Sequence, residues 1–204
     1  MRIVNNNIYI TRGETDTYNA KVIDKDTGAP FILSKELLNG KNSGNFILLF
    51  SVRRSEYVKD GSAIRKYLWL NNFEQTSDGE QYDMSKDIVL LDKTKIEDYP
   101  DGADWGEHGD AFTVQNNVLY RRKTTLGTYD YRYYNGTEWK PYSFVIKFPF
   151  LYRDTAELAP KAYRYAMTIY GGNNLVITEG GLENIDYKKP LVDAQFVVEA
   201  DINE

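Results

Sequence analysis

The chain has no cysteine, a single histidine and six prolines in 204 residues. Without thiols there is no disulfide framework, no Cys-ligated zinc and no thiol nucleophile. A chain of this length can bury a core without such staples. His108, flanked by Glu107 and Gly109, has no nucleophile-elbow pattern beside it, so a Ser-His-Asp arrangement finds no support in the sequence. No run approaches the ~18 apolar residues of a membrane span, and the opening Met1-Arg2-Ile3-Val4-Asn5-Asn6-Asn7 is too polar for a signal-peptide core. Charge of one sign is also missing: 25 basic and 30 acidic side chains are interspersed, giving a net charge of -5. A weakly acidic surface repels phosphate backbones and argues against nucleic acid as a partner.

Aromatic residues are abundant, with 17 Tyr, 9 Phe and 3 Trp. Tyrosine favours half-buried sheet surfaces and interfaces. Apolar residues recur at period two between short turn signals, which predicts strands almost throughout. Phe46–Val52 is a continuous apolar run, expected as a core strand covered on both faces. Further strands are predicted at Ile8–Ile10, Tyr18–Ile23, Lys66–Leu70, Ile88–Leu91, Ser143–Phe150 (ended by Pro149), Tyr165–Tyr170, Leu175–Thr178 and Gln195–Glu199. Phe112–Val114 and Val118–Tyr120 are expected as a hairpin around Gln115-Asn116-Asn117. The one helical stretch, Thr155–Ala159, is short and stops at Pro160.

The expected fold is all-β: a single antiparallel β-sandwich domain over residues 1–204. Roughly residues 1–52 and 144–204 form its frame, and a long β-rich insertion of roughly residues 53–143 lies between the halves.

Two segments of the insertion invite a chemical reading. Asp98, Asp101, Asp104, Glu107 and Asp110 recur at every third residue in an Asp/Gly-rich loop. Hard cations take several oxygens from flexible loops, but an EF-hand alternates its ligands, and this spacing does not. A solvated acidic loop is the expectation, with Asp101, Asp104, Glu107 and Asp110 as the weaker metal candidates and no cofactor implied. The second segment is Thr128–Tyr134, then Asn135-Gly136, then Thr137–Lys140. Asn-Gly between aromatic runs predicts a hairpin with a type I′ turn, whose two central positions both need positive φ. Tyr129, Tyr131, Tyr133, Trp139 and Tyr142 then either serve ordinary sheet packing or form a candidate platform, an interface for protein or a stacking surface for sugar rings. No pair of acids is singled out for glycoside hydrolysis, and the Gly-rich stretches precede no helix, so no enzyme activity is expected.

Three stretches carry a resemblance to a known family. The first is Ile10-Thr11-Arg12-Gly13-Glu14-Thr15, a strand followed by a tight entry to the next strand. The second is Asp154-Thr155-Ala156-Glu157-Leu158 with Pro160 and Tyr163-Arg164-Tyr165; the third is Lys189-Pro190-Leu191-Val192-Asp193-Ala194-Gln195-Phe196. In order and spacing they resemble the N-terminal domain of phage baseplate upper proteins, with Arg12, Gly13 and Thr15 as the signature residues. Ala194 stands where the family pattern has glycine. The resemblance implies a non-enzymatic structural component of a siphophage or prophage tail, made in the bacterial cytoplasm without a signal peptide and carried in the virion. It further implies docking on other baseplate proteins, support of host attachment, and assembly as a homo-oligomer at the tail hub. The alternative reading is a carbohydrate-binding module that takes host surface glycans on the Tyr129–Tyr142 platform.

Overall fold

The computed structural model describes residues 1–38, 44–53, 61–100 and 102–200. The chain is all-β and divides into two compact units. Unit 1 comprises Met1–Ala20, Ser43–Asp87 and Ile146–Glu204, and unit 2 comprises Lys21–Asn42 and Ile88–Val145. This division differs from the expected frame and insertion, because the described residues from Gly61 to Asp87 belong to unit 1.

The strands are β1 (Arg2–Val4), β2 (Asn7–Thr11), β3 (Asp16–Lys21), β4 (Asn45–Arg53), β5 (Ser62–Trp69), β6 (Glu80–Asp83), β7 (Glu97–Asp98) and β8 (Leu119–Lys123). They continue with β9 (Tyr129–Tyr134), β10 (Trp139–Pro141), β11 (Val145–Phe150), β12 (Lys161–Gly172), β13 (Val176–Thr178), β14 (Gly181–Glu183) and β15 (Tyr187–Glu199). A single helical turn, α1 (Tyr152–Thr155), precedes β12.

Unit 1 is built on a seven-stranded sheet in the order β1-β2-β15-β12-β4-β5-β6. Most joins are antiparallel, but β2 runs parallel to β15 and β6 parallel to β5. The predicted core strand sits inside this sheet as β4, with Phe46, Ile47, Leu48, Phe50 and Val52 buried. Alternation sends Phe50 to one face, where it meets Phe148 and Phe150 of β11 at ring-centroid distances of 5.0 and 5.4 Å. The two-stranded ribbon β3–β11 covers that face. Ile47 points to the other face, where it packs with Tyr67 and Trp69 of β5 and with Leu175 and Ile177 beside the β13–β14 hairpin. The sheet is thus layered on both sides, in the manner of a sandwich.

Several elements differ from expectation. Pro149 lies within β11 instead of ending it, because a two-stranded ribbon leaves one side of each strand unpaired and a proline fits there. The helical turn begins at Tyr152, ahead of the predicted start at Thr155. Ile88–Leu91 makes only an isolated bridge between Leu91 and Ser34, although Ile88 and Leu91 are buried. Phe112–Val114 forms no strand, so the hairpin predicted there is replaced by one between β8 and β9.

Unit 2 centres on a four-stranded sheet in the order β10-β9-β8-β7. One of its faces buries Leu119 with Leu91 and Tyr142, and the other buries Tyr120 with Tyr99 and Val118.

Candidate functional site

The tyrosine hairpin forms as predicted in place but not in turn type. β9 and β10 pair through Tyr134–Trp139, Tyr133–Lys140 and Arg132–Pro141, leaving the four-residue loop 135–138. Within that loop only Gly136 has positive φ, at 98°. The Asn135 side chain organises the rest: its Oδ1 accepts from the backbone N–H groups of Thr137 (3.0 Å) and Glu138 (2.9 Å) and from the Thr137 hydroxyl (2.8 Å). A side-chain acceptor that closes the loop itself removes the need for a type I′ turn.

Cross-strand register then divides the predicted platform. Residues directly opposite one another share a face. Tyr129, Tyr131 and Tyr133 stand with Lys123, Arg121 and Leu119 on one face, whereas Trp139 stands with Tyr134 on the other. Tyr142, 7 % exposed, joins the core of the first face. Its hydroxyl donates to the Phe31 carbonyl (3.2 Å) and accepts from the Leu33 N–H (3.4 Å). Burial pushes the Tyr142 phenol up to about 12. The five aromatics therefore make no single continuous surface.

On the tyrosine face, Tyr129 is the exposed member, at 44 %. The Arg121 guanidinium lies 4.9 Å from its ring centroid, and the Tyr131 ring lies 6.3 Å away. Arg121 also donates to Asp98 Oδ1 at 2.6 Å. That hydrogen bond, helped by the charges of Arg121 and Lys95 and outweighing a smaller opposing effect of burial, holds the Asp98 carboxyl below its ordinary value. Asp98, Phe112, Arg121, Lys123 and Tyr129, with the Tyr99–Pro100 edge of the sheet, border an open groove of about 630 Å³. Lys123 is exposed and forms no ion pair among the described residues.

The opposite face is an aromatic knot. Tyr99 is central, with ring centroids 4.5 Å from Trp105, 5.3 Å from Phe112 and 5.2 Å from Trp139. Arg122 and Arg132 each lie 5.5 Å from the Trp105 ring, and the Trp105 indole donates to Asp130 at 2.8 Å. The acidic loop is therefore packed by its own tryptophan, where the sequence suggested surface loop throughout. Asp104 pairs with Arg122 at 2.7 Å, while Glu107 and Asp110 are exposed. Asp101 lies outside the described residues. Among the described residues, no group of three or more His, Asp or Glu is placed to hold a metal ion. His108 stacks edge-on to Tyr99 at 6.3 Å and lies 5.5 Å from Phe112, with its Nδ1 buried and without a hydrogen-bond partner.

Comparison with known proteins gives no match. No family model fits the chain, and no curated protein or solved structure is significantly similar to it.

The signature residues belong to unit 1. Gly13, at φ 73°, turns the chain from β2 toward β3, with the Glu14 N–H donating to the Thr11 carbonyl at 3.0 Å. The Gly13 N–H donates to the hydroxyl of Thr155 at 3.0 Å, and Thr155 is fully buried. A Cβ at Gly13 would stand 3.0 Å from the Tyr152 ring. The Arg12 N–H donates to the Glu199 carbonyl at 2.9 Å, and Thr15 is exposed where the chain enters β3.

Beside this turn lies a charged cluster that the sequence reading missed. Lys66, with no solvent exposure, donates to Asp154 Oδ2 at 2.7 Å, Glu80 Oε2 at 2.8 Å and the Tyr82 hydroxyl at 3.3 Å. Asp154 Oδ2 also accepts the Leu151 N–H at 2.7 Å, and Arg153 reaches Glu80 at 3.1 Å. The Tyr82 hydroxyl donates to the other Glu80 oxygen. Burial alone would raise the Glu80 carboxyl, but the hydrogen bonds from Lys66 and Tyr82 and the charges of Lys66 and Arg153 together hold it below its ordinary value. Burial, then the Glu80 carboxylate, push the Tyr82 phenol up. A signal for the cluster did exist: Lys66 falls in phase with Ile64 and Leu68 at period two, so a lysine occupies an inward position.

Proposed function

We propose that the chain is a non-enzymatic structural component of a phage or prophage tail baseplate, docking through protein–protein interfaces and supporting host attachment. One observation carries this reading. The three stretches that resemble the baseplate upper proteins, far apart in sequence, meet in unit 1. Gly13 of the first is hydrogen-bonded to Thr155 of the second. Phe196 of the third pairs with Ile8 beside the first and with Tyr163 of the second, and is itself fully buried. Motif residues that hold one another in a sheet are what a framework signature requires, since their role is to keep strands in register.

Unit 2 supplies surface for contact. Leu126 at the tip of the β8–β9 loop is 88 % exposed, close in sequence to exposed Tyr129. Apolar and aromatic side chains of this kind are common anchors at protein interfaces. In this reading unit 1 belongs to the tail, and unit 2 meets the partner or the host.

Particles purified from an induced lysogen or an infected culture provide the test. Mass spectrometry of assembled tails should detect the chain, and cryo-microscopy should place it at the baseplate, as an oligomer around the hub. Assembled, infectious tails that lack the chain would overturn the proposal.

A further inference from the structure

The groove in unit 2 has the size of a small-ligand site. Its volume of about 630 Å³ falls within the roughly 300–1,000 Å³ of ligand pockets. Three kinds of group converge on it. The exposed Tyr129 ring, which the Arg121 guanidinium overlies at 4.9 Å, offers aromatic surface of the sort that stacks on the C–H face of a sugar. Asp98 and Arg121, joined at 2.6 Å, present an acceptor and a donor side by side, a pairing suited to adjacent hydroxyls. Lys123 stands opposite Tyr129 in the β8–β9 register, exposed and with no ion pair among the described residues.

The charges decide which saccharide. Arg121 is matched by Asp98, so among the described residues Lys123 leaves the groove with one positive charge that has no ion-pair partner, on a chain whose net charge is -5. A local cation on an acidic protein attracts a single anionic group while the surrounding surface repels polyanions. We infer that the groove bordered by Asp98, Arg121, Lys123 and Tyr129 binds a saccharide carrying one anionic substituent, a carboxylate or a phosphate, with the sugar ring on Tyr129 and the anion on Lys123. This site differs from the platform suggested by sequence: it keeps Tyr129, excludes Trp139 and Tyr142, and recruits three charged residues from β7 and β8. It also stands independently of the baseplate reading, because absence of the chain from particles would leave the groove's binding unchanged.

Titration calorimetry of the whole chain tests the inference with four probes: galacturonic acid, glucose 1-phosphate, galactose and inorganic phosphate. Either acidic sugar should bind at least about tenfold tighter than the neutral one, with an affinity that falls as salt rises. Whichever acidic sugar binds identifies the anion. Tyr129→Ala should weaken binding of both acidic and neutral sugars about tenfold or more, whereas Lys123→Gln should remove the preference for the acidic one. Lys123 is exposed, so its variant folds even if Tyr129→Ala does not. Equal affinity for acidic and neutral sugars, no binding of any sugar, or inorganic phosphate binding as tightly as glucose 1-phosphate would each overturn the assignment.

Discussion

A lysine without solvent exposure must find its counter-charges inside the fold, and Lys66 finds them in Glu80 and Asp154. Removing one partner of a buried ion pair strands the others, so Lys66→Met should destabilise unit 1 by about 3–5 kcal/mol, read from the urea midpoint. Acid provides a second readout. Glu80 is held below its ordinary value of 4.5, so its contribution is complete above that pH and is lost as pH falls through the lowered value. Wild type should therefore lose more stability than Glu80→Gln on acidification from about pH 6 to about pH 3, and the gap between them should narrow. Equal pH slopes for the two proteins would show that Glu80 is not so held. At this scale the sequence was only partly legible. Period two places Lys66 inward, but nothing local names its partners, because Asp154 comes from a turn 88 residues away.

Among the elements, strands with strong alternation or continuous apolar character could be located from sequence but not fully bounded: β4 and β9 lie where expected, whereas β5, β12 and β15 begin at Ser62, Lys161 and Tyr187, ahead of the predicted Lys66, Tyr165 and Gln195. Short apolar stretches bordered by asparagine could not. Asn117 adopts φ 53°, and the Gln115 N–H donates to the Tyr120 hydroxyl at 2.9 Å, so the chain before β8 folds onto the aromatic knot instead of pairing as a strand. The tyrosine hairpin was legible in its strands but not in its loop, because Asn135 acts through its side chain. Asn135→Ala removes an acceptor that serves three donors and should cost about 0.5–2 kcal/mol, comparable to losing a helix cap. Gly136→Ala should cost about 1 kcal/mol or more, since φ near 98° is strained for any residue with a Cβ. Thermal melts followed by aromatic circular dichroism would check both. The platform expectation failed at this same scale: sequence spacing put Trp139 beside the tyrosines, and cross-strand register put it behind them.

For the whole molecule, the all-β class followed directly from composition and pattern, whereas the division of the chain did not. Residues 61–87 look like insertion in a linear reading but contribute β5 and β6 to the main sheet. Each unit has its own buried clusters, and the tryptophans divide between them: Trp69 in unit 1, Trp105 and Trp139 in unit 2. Chemical denaturation followed by fluorescence should therefore give one midpoint for a Trp105→Phe/Trp139→Phe variant and a different one for Trp69→Phe. Coincident midpoints in the two variants would mean that both units unfold as one cooperative body.

The parallel join of β2 to β15 has a consequence for how the protein is made. Ile8 leaves the ribosome long before its partner Phe196. Until β15 emerges, β2 lacks its inner neighbour, and β12 is paired only on its β4 side. The sheet cannot close before β15 emerges, and its longest-range pairing waits until then. Nascent chains stalled before residue 187 should thus expose the open edges of β2 and β12, and the interval before β15 emerges is when a chaperone would be needed.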